Sequence, residues 1–191
     1  PYNGNKGVVA LSYSTVLLLD SILKKNKIDY NLFLIHGDEK HNQEEFIKIE
    51  NNIIKFKSIE PINISSIRSF IRFLISPKQW LSIPIYMKFD ILLNVGGGDS
   101  FSDIYGTKRF KSINSQYHIA RYLNIPSVLM PQTIGPFKNL IIKDMASKSL
   151  ERVSLIMARD TSSFDLAKKL TDKEVYELLD VAFFLPYKKI S

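Results

Sequence analysis

The densest chemistry in this sequence lies in one run of ten residues, Asn94-Val95-Gly96-Gly97-Gly98-Asp99-Ser100-Phe101-Ser102-Asp103. Consecutive glycines leave backbone N–H groups unshielded and permit positive φ, so an anion or a sugar can approach the main chain closely. If Asp99 or Ser100 caps a following helix, the helix N-terminus adds partial positive charge at the same spot. The same residues also read as a plain strand-to-helix turn with Ser100 and Asp103 as a capping pair. A second run, Met130-Pro131-Gln132-Thr133-Ile134-Gly135-Pro136-Phe137, sets Gln132 and Thr133 in a proline-stiffened loop. Such a frame suits the orientation of a polar ligand, or is simply a proline-defined turn. In a third run, Met157-Ala158-Arg159-Asp160-Thr161-Ser162-Ser163, Arg159 could hold a phosphate or carboxylate through two parallel hydrogen bonds, as lysine cannot. The competing reading is a surface pair between Arg159 and Asp160.

Each run must be held by regular elements, and the periodicity supplies them. Helical patterns alternate with short apolar segments bounded by turn residues, which predicts an α/β fold around a parallel sheet with helices on both faces. Ligands of such sheets bind beyond the carboxyl ends of the strands, where all three runs fall. Helices are expected over Val8 to Lys25, largely buried, over Gln43 to Asn51, polar, and over Ile64 to Ile75. A second segment, Gln79 to Lys88, leads into the strand at Phe89, and further helices are expected from Phe110 to Leu123, over Ile141 to Leu150 and over Ser162 to Leu170. Strands are expected over Tyr30 to His36, Ile53 to Phe56, Phe89 to Val95, Ser127 to Met130, Ser154 to Ala158 and Glu174 to Leu178. The strand over Phe89 to Val95 reads as central and buried on both faces.

Composition narrows the classes. The 191 residues are 45% hydrophobic and 24% charged, which excludes a disordered or low-complexity chain and is enough for one domain. Apolar stretches such as Val16 to Leu19 and Ile91 to Leu93 fall far short of the roughly 18 residues that cross a bilayer, so no span is expected. The absence of cysteine removes disulfides and thiolate chemistry. A net charge of +7 favours anionic partners.

The runs NVGGGDSFSD (94–103), PQTIGPF (131–137), ARDTSS (158–163) and DVAFFLP (180–186), in this order and spacing, resemble the polysaccharide pyruvyl transferase family. The opening Asn3-Gly4-Asn5-Lys6-Gly7 is similar to that family's loop after its first strand, although Val8 stands where the family continues into an Asp. The resemblance implies a Rossmann-like N-terminal lobe of a two-lobed, GT-B-like fold, with the second lobe expected beyond Ser191. It implies transfer of the pyruvyl group of phosphoenolpyruvate onto sugar hydroxyls as a ketal, in surface polysaccharide biosynthesis. No cofactor is implied besides phosphoenolpyruvate as donor. The acceptor would be a sugar or lipid-linked oligosaccharide, and the location the cytoplasm or the inner face of the cell membrane.

On that reading a pocket for a phosphate and a carboxylate needs guanidinium, ammonium or N–H donors, which Arg159 and Gly96, Gly97 and Gly98 offer. Ser100, Gln132 and Thr133 would line or orient the ligand, and Asn5 and Lys6 would close one edge. Ketal formation needs proton transfer, for which Asp99 and Asp103 are the carboxylates at hand. A nucleotide-sugar-dependent glycosyltransferase and a non-catalytic carbohydrate-binding module remain as alternatives.

Other constellations carry less. His36, Asp38, Glu39 and His41 share one loop without the fixed spacing of a metal motif, so no metal site is expected. His118 reads as a packed or hydrogen-bonded ring. The basic and apolar segment from Ile64 to Ile85 could lie on an acidic bilayer, giving peripheral membrane association, or be an ordinary core helix. Nucleic acid is not expected as a partner, because the lysines are dispersed and no recognition motif occurs.

Overall fold

A computed structural model describes residues 6–35, 44–49, 52–97 and 99–185. The chain forms two compact units, Pro1–Ile59 with Asp180–Ser191, and Glu60–Leu179.

The first unit holds helix α1 (Lys6–Lys25) and strands β1 (Phe33–Ile35), β2 (Glu44–Ile49) and β3 (Asn52–Ile59) in the order β1-β3-β2, closed by a 3-10 turn at Val181–Phe184. β3 runs parallel to β1 and antiparallel to β2. The helix expected over Gln43 to Asn51 is therefore a strand. Its Glu and Lys residues favour a helix locally, but pairing with β3 overrides that preference. Ile47 is buried while Phe46 and Lys48 face solvent, and the Glu45 carboxylate accepts from Ser58 Oγ at 2.5 Å.

Helix α1 packs against the 3-10 turn and β3. It is less buried than expected, with only Leu11, Ser14, Thr15 and Asp20 shielded. The polar members of that set are satisfied: Ser14 and Thr15 hydroxyls donate to the Ala10 and Leu11 carbonyls, and Lys24 reaches the Asp20 carboxylate at 2.9 Å. With 20 residues and a mean hydropathy of 1.4 over its most apolar window, α1 has the length and composition of a membrane-crossing helix, a property that inspection of uninterrupted apolar runs misses.

The second unit carries α2 (Ile67–Ile75), α3 (Pro77–Tyr86), β4 (Leu92–Asn94), α4 (Thr107–Tyr122), β5 (Ser127–Gln132), α5 (Leu140–Leu150), β6 (Leu155–Ala158), α6 (Thr161–Lys168) and β7 (Val175–Glu177). Its four strands form an all-parallel sheet in the order β4-β5-β6-β7, flanked by helices in Rossmann-like fashion. The fully buried strand is β5 rather than β4: every residue from Ser127 to Gln132 is buried, whereas β4 buries only Leu92. Strand β5 also runs through Pro131 and Gln132, which the sequence reading assigns to a turn. Under the sheet, Leu129, Ile156 and Ala158 pack with Ile142, Ala146 and Leu150 of α5. Phe101, Phe110, Tyr117 and Phe137 join them, Phe101 meeting each of the other three rings edge-on at 5.4 to 6.3 Å, an arrangement that suits the ring quadrupoles.

Candidate functional site

The carboxyl ends of β4, β5 and β6 lie side by side because the strands are parallel neighbours, and the three chemistry-bearing runs emerge there together. Asn94 ends β4, Gln132 ends β5 and Ala158 ends β6, with Gln132 in register with Ala158.

The glycine run does not lead straight into a helix. Gly96 takes φ of 60° in a tight turn, and the chain then rejoins the sheet at Phe101, which bridges Ile134 in parallel and accepts from Gly135 N at 2.8 Å. Helix α4 begins only at Thr107, and its N-cap is Gly106, without a side-chain cap. Neither Asp99 nor Ser100 caps it, so the expected helix dipole is missing from the glycine turn. Ser100 instead accepts from Gly97 N at 3.1 Å through its buried hydroxyl, closing the turn on itself.

Gln132 is fully buried and braces this turn from below. Its Nε2 donates to the Asn94 carbonyl at 3.1 Å. Its Oε1 has no hydrogen-bond partner among the described residues, and a Cβ on Gly96 would come within 2.4 Å of it. Gly96 is therefore demanded twice, by φ and by contact. The side chain that composition marks as a ligand-orienting group is a support beneath the loop, while its neighbour Thr133 stands partly exposed at the rim.

Arg159 lies one residue beyond β6, its backbone N donating to the Gln132 carbonyl at 3.3 Å and its Nε donating to Thr133 Oγ1 at 2.8 Å. The guanidinium is thus oriented across the strand boundary by a neutral hydroxyl. Its approach to Asp160 is looser, 4.0 Å between partly exposed groups, the kind of ion pair that contributes little. Asp160 has a firmer task as N-cap of α6, accepting from Ser163 N at 2.8 Å. The buried Ser163 hydroxyl accepts from Ile134 N at 3.0 Å, pinning the proline loop to α6. Beside it, the peptide between Gly135 and Pro136 is cis.

The two carboxylates differ. Asp99 is half-buried and accepts from Tyr105 Oη at 2.7 Å, a bond that holds the phenol pKa above its usual value of 10.0. Asp103 Oδ2 accepts from Lys138 N at 2.8 Å and Asn139 N at 2.7 Å, so it ties the loop after β4 to the start of α5, where Asn139 is the N-cap. Sequence reasoning misses Tyr105 and Glu177, whose Oε1 accepts from Thr161 Oγ1 at 2.7 Å, because no spacing marks their partners.

Of the remaining expected site residues, Lys6 is the exposed first residue of α1 in the other unit, and Asn5 and Gly98 lie outside the described residues. So do His36, Asp38, Glu39 and His41; among the described residues, no three His, Asp or Glu side chains gather into a metal-binding group. His118 is a hydrogen-bonded ring, with Arg152 Nη1 at 3.2 Å from Nδ1 and Asn114 Nδ2 at 3.4 Å from Nε2.

Taken together, the rim offers a positive-φ glycine turn and a tyrosine-bound carboxylate beyond β4, and an oriented guanidinium beyond β6, on either side of β5. Compared with known proteins, the chain matches a family model described as polysaccharide pyruvyl transferase over residues 15–190. No curated protein and no solved structure gives a match.

Proposed function

The chain belongs to the polysaccharide pyruvyl transferase family, a family of transferases, and from this we propose that it moves the pyruvyl group of phosphoenolpyruvate onto two hydroxyls of a sugar as a ketal. In that reaction both hydroxyls add to the enol carbon that carries the phosphate, phosphate leaves, and the methylene carbon gains a proton. One hydroxyl proton therefore ends on carbon and the other on the departing phosphate. The enzyme must neutralise two anionic groups of the donor and carry protons between oxygen and carbon.

The observation that carries this reading is the Arg159 Nε bond to Thr133 Oγ1 at the same carboxyl-end rim of the sheet from which the Gly96–Gly97 turn emerges. An arginine whose orientation is set in advance by a neutral partner loses little freedom when it binds a carboxylate or phosphate. Backbone N–H groups of the turn other than Gly97 N, which already donates to Ser100, would take the other anionic group. We assign proton transfer to Asp99, since Tyr105 already donates to it and supplies a neighbouring hydroxyl. Asp103, engaged by two backbone N–H groups, is better suited to holding the loop than to exchanging protons. On this reading Gln132 and Ser100 shape the turn, and the acceptor is a sugar or a lipid-linked oligosaccharide met in the cytoplasm at the inner face of the membrane.

Titration calorimetry of the chain with phosphoenolpyruvate and, separately, with nucleotide sugars tests the proposal. Heat with phosphoenolpyruvate alone supports it. Heat with nucleotide sugars alone would replace it with a glycosyl transfer reading on the same architecture.

A further inference from the structure

Helix α2 buries none of its residues. Its apolar side chains recur at Ile67, Phe70, Ile71, Leu74 and Ile75, the spacing of one helical face, and their exposure runs from 47% at Leu74 to 82% at Ile67. Helix α3 extends the surface with Trp80 and Leu81, both exposed, and the Trp80 indole Nε1 donates to the Phe73 carbonyl at 2.8 Å, tying the two helices together. A cavity of about 680 Å³, lined by Ile64, Phe73, Ile83, Ile119 and Leu123, shares Ile67 and Phe70 with this surface. An exposed apolar patch of this kind marks a place that something covers.

Charge identifies the occupant. Between Pro61 and Phe89 the sequence holds Arg68, Arg72, Lys78 and Lys88 and not one Asp or Glu. Arg68, Arg72 and Lys88 are exposed, while the N-terminus of α2 is capped by the neutral pair Ser66 and Ser69. A second copy seated on this face about a twofold axis would set these cations against their own kind. A surface of anionic headgroups over hydrocarbon complements both properties, and a tryptophan is at home on such a boundary. We infer that the α2–α3 surface docks on an anionic lipid bilayer, inserting Ile67, Ile71, Ile75 and Trp80 at headgroup depth while Arg68 and Arg72 pair with lipid phosphates.

Trp80 is the single tryptophan of the chain and reports on its own surroundings. The chain should float with phosphatidylcholine vesicles containing about 30% phosphatidylglycerol, less so at high salt, and not with phosphatidylcholine alone. Its tryptophan emission should shift to the blue on binding. Arg68→Gln and Arg72→Gln should each weaken partitioning about fivefold. Ile71→Asp with Ile75→Asp should abolish it, and circular dichroism should stay unchanged because both side chains are exposed. Absence of flotation, flotation with unshifted emission, or self-association in the ultracentrifuge that Ile71→Asp abolishes without any vesicle binding would each overturn the inference. Phosphoenolpyruvate heats on the same samples separate its failure from that of the donor reading.

Discussion

Gly96 and Gln132 occupy one another's space: the fully buried amide fills the volume that any side chain at position 96 would need, with its Oε1 only 2.4 Å from where a Cβ would sit. Gly96→Ala therefore meets both a positive φ and a steric clash, and should destabilise the fold by roughly 1–3 kcal/mol in urea denaturation. Gln132→Ala removes the bond to the Asn94 carbonyl but opens the space. The double variant should thus be less destabilised than the two single effects added together, the sign of a shared contact.

Arg159→Lys should weaken phosphoenolpyruvate binding by roughly 1–3 kcal/mol, read by calorimetry, because a point charge cannot reproduce the planar fork. Thr133→Val removes the acceptor that orients Nε and should weaken binding by about 1 kcal/mol while keeping the guanidinium charge. Unchanged affinity in Arg159→Lys would return the residue to a surface pair with Asp160.

Asp103→Ala leaves Lys138 N and Asn139 N without their shared acceptor, and should lower the thermal midpoint by an amount equivalent to roughly 1–3 kcal/mol. Asp99→Asn should instead leave the midpoint nearly unchanged and reduce phosphate release. The opposite pattern would exchange the roles assigned to the two carboxylates.

Burial, Arg152 and Arg121 hold His118 below its ordinary pKa of 6.5, and Arg152 donates to Nδ1, which requires a neutral ring. The unfolded chain then takes up a proton near that pH that the folded chain refuses. The stability linked to this ring is complete above pH 6.5 and falls as the pH drops through the lower, folded value. His118→Gln should flatten that loss between pH 7.5 and pH 5, measured by urea midpoints. An unchanged pH dependence would mean that other groups set it.

Much of the sheet is legible from sequence because β5 and β6 and their following helices declare themselves by apolar runs, turn residues and caps within a few positions. Strand β2 does not, since Glu44 to Ile49 looks helical until β3 lies beside it. The same applies to the site. That glycine, threonine and arginine would share one rim follows from parallel topology, but the tasks of Gln132 and Asp103 could not be read. Their partners are main-chain groups of residues 38 and 35 positions away, which no local pattern encodes.

The chain leaves the sheet after Asn94 and rejoins it at Phe101, alongside the same neighbouring segment and within the aromatic cluster. The described residues between Asn94 and Phe101 are consequently a span anchored at both ends. Substitution can change which atoms this arch presents, whereas adding or removing a residue would pull on the seat of Phe101. If the arch contacts the donor as proposed, ligand preference here diverges by substitution at constant length.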